Sequence, residues 1–549
     1  MKTKPHRHQQ EDFDRSKDLE IFAVWWEQGL GKTKLIIDTV CHLYEASGLT
    51  GLLVLAPGGV HENFLSQEWP VHVWDDVPWS GHVHHTSKAG TKKAQQQATA
   101  ICIPFPPTGR RLAILVMSYD AVRTKVGFEL ATQFLKSHRA MAVADESTAI
   151  AEPSSERSKR IAKLGPLARW RRVMSGTPVA EGPFKIYNQM KFLDKEYWKR
   201  HGFGSYYVFK QAFGVFRKMR AAQGHQFDQL LSYQNLEYLQ KLIADCSTRR
   251  LKEDCLDLPP KIYTKIEFDL EPKQRRMYDD LVNMLQAEID ETHTLEAATA
   301  LIRLTRLQQI TSGFAVAQEM PAPAVGDLLT RVAEDGTFTG EITEFVDAKI
   351  CVAVGVLETD GTRHDNWMAT IDVTDERVRR LVAADPVTLD IFDSPNKNPR
   401  LQTLLTVLEP ITHKVITWAR FRKDIDLICG ALGDKAVRYD GIVNTADRSM
   451  ALDRFRNDPS IQYFVANPAA ISMGVTLTQA KTVIYYSNSF QLEKRLQSED
   501  RAHRIGQDVN VNIVDLVAKG TVDTHIVGTL RKKFHLAAEV TGDRLREWL

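Results

Sequence analysis

Two α/β lobes, each built on a parallel sheet, are the fold class this sequence predicts, with helical protrusions and a small β-containing insertion between them. Three observations predict it. Short apolar runs alternate with helical stretches in the first half, the same texture returns near the C-terminus, and the middle replaces it with turn signals. The chain has 549 residues, 43% hydrophobic and 26% charged, so a sizeable core is expected and wholesale disorder is excluded. At roughly 150 residues per domain that length suggests about three or four units. Net charge is +2, from 71 Lys and Arg against 69 Asp and Glu, so any nucleic-acid surface must be a local basic patch. No stretch approaches the ~20 apolar residues of a membrane span. The opening MKTKPHRHQQEDF lacks the apolar core of a signal peptide. Six cysteines (Cys41, Cys102, Cys246, Cys255, Cys351, Cys429) are scattered without a CxxC pair, which argues against a disulfide framework or a zinc ribbon. A soluble, multi-domain intracellular protein is expected.

Taken in order, Ile21–Trp26 reads as a buried strand and Lys34–Tyr44 as a helix with Leu35, Ile36, Thr39, Val40 and Leu43 on its inner side. Further strands are expected at Gly51–Ala56, Leu112–Met117, Met141–Ala144 and Arg172–Met174. Strands separated by helices imply a parallel sheet covered on both faces. Residues 185–245 are rich in Phe, Tyr, Lys and Gln and read as helical. From 315 to 392, EDG and TDG turn signals separate alternating segments such as Trp367–Val373, the mark of a β-containing insertion. Ser394–Arg400 is a polar linker opening the second lobe, whose strands are expected at Lys414–Thr417, Tyr463–Ala466, Thr482–Tyr486 and Asn512–Val517.

The strongest local motif is Glu27–Thr33, EQGLGKT, between a strand and a helix. Gly29 and Gly31 let backbone N–H groups approach phosphate, and the helix adds its positive end. Lys32 would reach the β- and γ-phosphates of a nucleotide, and Thr33 would ligand Mg²⁺. Trp26 occupies the usual first glycine of GxxxxGK[ST]; a glycine-bearing turn with a chance GKT is the plainer alternative. Asp145 and Glu146 follow the run MAVA, where Asp145 would hold Mg²⁺ and Glu146 would polarise the attacking water. Ser175–Pro178, SGTP, is a tight turn suited to sensing phosphate. In QSEDRAHRIGQ, the residues Gln497, Asp500, Arg501 and Arg504 are spaced to share a helical face, with the acid orienting an arginine-finger pair. A charged solvent-facing helix is the alternative there. SMGVTLTQA places a glycine and hydroxyls after the strand YFVA. Five histidines (His61, His72, His82, His84, His85) crowd into a short span, but without Cys or HxxxH spacing they read as a polar loop.

The ordered set resembles the Swi/Snf family of superfamily-two helicase-like ATPases. EQGLGKT is similar to their DEMGLGKT, LAPGGVHENF to motif Ia, ADES to the DEGH-type box, MSGTP to LTGTP, GVTLTQA to motif V and DRAHRIGQ to motif VI. RRLKEDCLDLPP (Arg249–Pro260) is similar to the family's RR-x-K connection. The resemblance implies RecA-like lobes with an ATP cleft between them, and ATP with Mg²⁺ held by Thr33 and Asp145. It implies that Gln9, beside His8, binds adenine, and that Glu27, Gln28, Gly29, Leu30, Gly31, Lys32, Thr33, Gly474 and Gln497 complete the nucleotide site. Lys32, Asp145, Glu146, Arg501 and Arg504 would carry catalysis, with Arg504 as the finger. Ser147 stands where the family commonly has glycine, and Gln28 where it has methionine, a position expected not to touch chemistry.

The resulting parse is residues 1–265 for the first lobe with a helical protrusion at 180–245, 266–314 for a helical inter-lobe segment, 315–392 for the insertion and 393–549 for the second lobe. Closure on ATP would move double-stranded DNA held through its phosphates. The resemblance implies contacts from Pro57 onward, from Ser118, Tyr119, Trp418 and Arg420, and from the motif V turn; Arg157–Arg172, which holds seven basic residues in sixteen, reads as a DNA-facing patch, with a solvated basic helix face as the alternative. A strand-separating helicase, a motor subunit of a restriction or repair complex, and a nucleotide-switched clamp that does not cycle are the rival readings; intact Lys32, Asp145, Glu146 and Arg504 argue against the clamp. The absence of chromatin-reading appendages points to a bacterial or viral source and to the cytoplasm.

Overall fold

The computed structural model describes the chain except residues 60, 107–108, 221–225, 293–296, 318–327, 334–335, 347–349, 360–361, 373–377, 381–386, 472–473 and 545–549. The described residues form two compact units. One comprises Met1–Leu270, Leu285–Leu295 and Pro399–Leu549; the other comprises Glu271–Met284 and Glu296–Asn398.

The first strands of the larger unit are β1 (Ile21–Trp26), β2 (Gly51–Ala56), β3 (Trp79–His84), β4 (Leu112–Ser118), β5 (Ala140–Ala144) and β6 (Trp170–Met174). A hairpin of β7 (Gly214–Arg220) and β8 (Gln226–Tyr233) follows, then β9 (Ser247–Arg250) and β10 (Lys261–Phe268). Among the described residues the first sheet has seven parallel strands in the order β3-β4-β2-β5-β6-β1-β9. Because both faces are covered, alternate residues of one strand enter different cores. Ala23 and Trp25 pack on one side, and Phe22, Val24 and Trp26 on the other. Each such side chain removed from water contributes about 1.5–3 kcal/mol, which explains why these strands read as unbroken apolar runs. Helix α1 (Arg7–Ser16) precedes β1, and α2 (Lys32–Ser47) follows it.

The smaller unit holds β11 (Phe314–Ala317), β12 (Leu328–Ala333), β13 (Gly336–Phe345), β14 (Ile350–Thr359), β15 (Thr362–Asp372), β16 (Val378–Arg380) and β17 (Val387–Asp390). Among the described residues these form an antiparallel five-stranded sheet, β15-β14-β13-β12-β16, and a separate β11-β17 pair. The second lobe adds β18 (Lys414–Trp418), β19 (Ala436–Tyr439), β20 (Tyr463–Ala466), β21 (Ala480–Tyr485) and β22 (Val511–Ala518). Its described sheet is six-stranded and parallel, β10-β22-β21-β18-β20-β19. No helix among the described residues is long and apolar enough to cross a membrane.

Four expectations need correction. The helical reading of 180–245 misses the β7-β8 hairpin, where Phe216 and Leu230 face one another across the ladder. Phe184 stacks on Phe216, centroids 6.1 Å apart, so aromatic packing rather than helical periodicity decides this segment. The boundary at 265 cuts β10, which pairs along its whole length with β22 and belongs to the second lobe's sheet. The histidine-rich stretch is not a loop throughout, since β3 takes in His82 and His84, both buried. Finally, the helix expected through Gln497–Gln507 runs only from Leu492 to Glu499, and Arg501 and Arg504 lie in the turns after it.

The last helix of the larger unit, Val522–Thr541, returns to the first lobe. Val540 enters the core beside Leu239 and Ile243. Lys533 pairs with Glu181, and Arg249 makes a 2.8 Å bridge to Asp543. These non-covalent contacts hold the last helix, which the chain carries directly after β22, against the first lobe.

Candidate active site

The loop between β1 and α2 takes its shape from its glycines. Gly29 and Gly31 have φ of +84° and +78°, conformations that cost a side chain about 1–2 kcal/mol. A Cβ on Gly31 would also lie 2.2 Å from Gln9 Nε2, so a side chain there would displace the end of Gln9 from the loop. The Gln9 amide donates to the Leu30 carbonyl at 3.1 Å and accepts from the His6 backbone N–H at 2.9 Å; His8 Nε2 lies 3.0 Å from the same Leu30 oxygen. Gln9 therefore anchors the loop through its side chain, a geometry beyond the adenine contact expected of it. Leu30 is buried in the core on the α2 side of the sheet.

Lys32 donates to the carbonyls of Trp26 at 3.0 Å and Glu27 at 3.4 Å. Burial lowers its pKa, while Glu146, Asp145 and Asp500 oppose that shift. Thr33 stands next to it in the first turn of α2. Across the sheet, Asp145 and Glu146 leave the end of β5. Tyr119 donates its hydroxyl to the Asp145 carbonyl at 2.6 Å, and Asp145 Oδ1 accepts from the Glu146 N–H at 2.9 Å. Glu146 has φ +46°, a left-handed geometry uncommon outside glycine and characteristic of functional turns. Its side chain is buried; Oε1 accepts weakly from Gln28 Nε2 at 3.4 Å and Oε2 has no hydrogen-bond partner among the described residues. Desolvation pushes its pKa up to about 6 against the pull of Lys32, and burial raises Asp145 as well. Ser147, the departure from glycine, donates to Gln189 at 2.6 Å and leaves the acids in place.

Gln28 is a correction. Besides its bond to Glu146 it packs on the SGTP turn, where a Cβ on Gly176 would come within 2.9 Å of Gln28 Cγ. The residue read as remote from chemistry bridges two motifs.

The second lobe supplies both arginines. Arg501 is buried and donates to the Val475 carbonyl at 3.2 Å; desolvation and Arg504 lower its pKa to about 10, still cationic near neutrality. Arg504 reaches the first lobe: its Cγ and Nε lie 3.4 and 3.7 Å from where a Cβ on Gly29 would stand, and Nη1 is 3.5 Å from the Gly474 carbonyl. Gln497 donates to Glu493 at 3.0 Å, which also accepts from Thr148 of the acidic turn at 2.9 Å. The expectation that Asp500 orients the arginines is overturned. Its carboxylate takes Lys252 Nζ at 2.7 Å and lies 3.6 Å from Lys261.

Lys252 had no role assigned from sequence. Its N–H donates to Glu27 at 2.6 Å while its ammonium binds Asp500 and, at 2.8 Å, the His503 carbonyl. It thus spans from the phosphate-type loop to the arginine-bearing turn. The RR-x-K spacing was the available signal, since Arg249 and Arg250, at the end of β9 just before Lys252, are fixed by Asp543 and Asp12.

Of the expected DNA contacts, Tyr119, Trp418 and Arg172 are withdrawn. Tyr119 and Trp418 are core side chains, and Arg172 is buried against the carbonyls of Ser16, Leu19 and Arg171 at 2.8–3.0 Å. Ser118 caps the Tyr119–Arg123 helix.

Two parallel-sheet lobes whose loops converge in this way define the helicase-like class. The chain belongs to the SNF2 family. The SNF2-related domain matches residues 25–313, and the helicase conserved C-terminal domain matches 396–506. Among curated relatives, human TATA-binding protein-associated factor 172 is 24% identical over 489 residues, covering 83% of this chain and 24% of its own. The ATP-dependent helicase FUN30 of Saccharomyces cerevisiae is 23% identical, covering 94% of this chain and 45% of its own. The chain thus spans less than half the length of these relatives. A solved Sulfolobus solfataricus SWI2/SNF2 ATPase core in complex with dsDNA covers 99% of this chain and 94% of its own at 19% identity, with a TM-score of 0.37.

Proposed function

We propose that the chain is an ATP-driven motor that moves along or remodels double-stranded DNA. The observation that carries this reading is the packing of Arg504 from the second lobe against Gly29 of the first. A guanidinium so placed can reach the γ-phosphate of a nucleotide seated on the Gly29–Thr33 loop, where it would neutralise charge developing in transfer. Lys32 would meet the β- and γ-phosphates. The unpartnered Oε2 of Glu146 has the position and the raised basicity to accept a proton from an attacking water. The donor set suits Mg²⁺: a first-turn hydroxyl from Thr33 and the Asp145 carboxylate, hard oxygens that leave room for waters and phosphate. When bound, Mg²⁺ would supply charge neutralisation at the phosphates. Lys252 would transmit closure, because one side chain touches both the loop and the arginine-bearing turn. Family membership, and relatives described as ATP-dependent helicases, support ATP use and a nucleic-acid track.

Duplex DNA should stimulate phosphate release, and the stimulation should fall steeply with salt as phosphate contacts are screened. Measuring ATP hydrolysis with duplex DNA, single-stranded DNA and RNA at two salt concentrations tests this. Equal activity without nucleic acid, or stimulation by RNA alone, would overturn the substrate assignment. Displacement of a triplex strand without separation of a forked duplex identifies a translocase; efficient forked-duplex separation would identify a helicase.

A further inference from the structure

β3 is an edge strand of the first sheet and carries His82 and His84 on its buried side, with His85 immediately after. Beside it stands the short turn His61–Asn63, which follows β2. His61 is only 7% exposed, yet neither of its ring nitrogens has a hydrogen-bond partner among the described residues. Buried polar atoms are nearly always satisfied, and an imidazole always presents a donor or a lone pair on each nitrogen. Its ring meets that of His85 at 60°, centroids 5.9 Å apart. His85 Nδ1 lies 3.3 Å from Glu62 Oε1, and single ligand atoms of His61, Glu62 and His85 all fall within 4.8 Å of one another.

We propose that His61, Glu62 and His85 bind a zinc ion, with water as a fourth ligand, and so staple the segment after β2 to the edge of the first sheet. Two imidazoles and one carboxylate, with water completing a tetrahedron, form a donor set that zinc takes. Tetrahedral zinc with bonds of about 2.0–2.2 Å spaces its ligand atoms about 3.4 Å apart. That spacing is within reach of side-chain rotation, because the Glu62 and His85 side chains are 54% and 30% exposed and can move toward the fixed His61. Their exposure also provides an entry path and room for the water. The site would lie in the segment whose resemblance to motif Ia gave the expectation of DNA contact, and the ion's charge exceeds that of the single carboxylate. The proposal rests on none of the ATP-site residues.

The test uses the full chain, stripped with chelator and titrated with zinc against a chromophoric competitor, with cobalt as a spectroscopic probe. One equivalent of zinc should bind, cobalt should give the intense visible bands of a tetrahedral site, and zinc should raise the melting temperature. His85→Gln and Glu62→Gln, at partly exposed positions, should fold as the parent does. His85→Gln should weaken zinc binding by more than about 100-fold, beyond the effect of losing an outer-shell partner. Glu62→Gln should weaken it and abolish the melting shift, and His61→Ala should match His85→Gln if it folds. His42→Ala, which removes an imidazole 2.7 Å from Asp18, should change nothing. Absence of a bound equivalent, an octahedral cobalt spectrum, or unchanged affinity in His85→Gln and Glu62→Gln would overturn the site.

Discussion

Glu146→Gln should make the protein more stable while nearly stopping its turnover. The carboxyl is buried, one oxygen has no hydrogen-bond partner among the described residues, and its pKa is raised from the ordinary 4.5 to about 6. A shift of that size corresponds to about 2 kcal/mol disfavouring the charged form. The sign follows from linkage: between pH 4.5 and 6 the folded state binds more protons than the unfolded state, so stability falls as pH rises through that window. Above pH 6 the ionised Glu146 costs the fold up to about 2 kcal/mol. Glutamine removes that cost, so at pH 7.5 its melting temperature should rise by a few degrees, and the gain should vanish below about pH 4.5. Activity should move the other way. ATP hydrolysis by the parent should fall roughly tenfold per pH unit below about 6, as expected when the base must be ionised. In the variant turnover should drop at least ~10²-fold while nucleotide affinity is kept. Thermal melts and steady-state hydrolysis across pH 5–8 check both halves. A variant less stable than the parent at pH 7.5, with parent-like turnover, would refute the assignment of Glu146 as a desolvated base.

Gly31→Ala should abolish nucleotide binding and cost stability, because the Cβ meets Gln9 Nε2 at 2.2 Å and φ is +78°; paired binding and melting measurements on Gly31→Ala and Gly48→Ala, where φ is +68° but nothing stands in the way, separate clash from strain. Lys252→Met should leave the part-buried Asp500 carboxylate with only the 3.6 Å ion pair to Lys261 among the described residues, lowering stability by about 2 kcal/mol and weakening DNA stimulation more than ATP affinity; chemical denaturation and stimulation ratios check it.

Much of this fold was legible because parallel strands buried on both faces are continuous apolar runs. Ile21–Trp26, Gly51–Ala56 and Tyr463–Ala466 stand where those runs place them. The motifs of the candidate site were legible for a related reason, since glycines, a lysine and an acid pair at strand ends are local features. What sequence did not disclose was pairing at a distance. β3 was hidden because its buried positions are histidines, and β10 because its partner strand begins at residue 511. The turn after Glu499 was hidden because Asp500, Arg501 and Arg504 keep helical spacing, while their partners are Lys252, Val475 and Gly29 in other segments. Tyr119 and Trp418 looked like surface contacts, although both lie where strand ends meet the core.

The most direct test of the central claim, that ATP is hydrolysed between the lobes, is kcat and nucleotide affinity for Arg504→Lys. The side chain packs on Gly29 from the opposite lobe, and lysine keeps its charge but not the planar fork that pairs with phosphate oxygens. An arginine finger is worth about 10³-fold in rate, or about 4 kcal/mol, whereas most ground-state contacts come from the first lobe. The account predicts a loss of kcat on that order with affinity changed only severalfold. Parent-like kcat in a folded Arg504→Lys protein would contradict it.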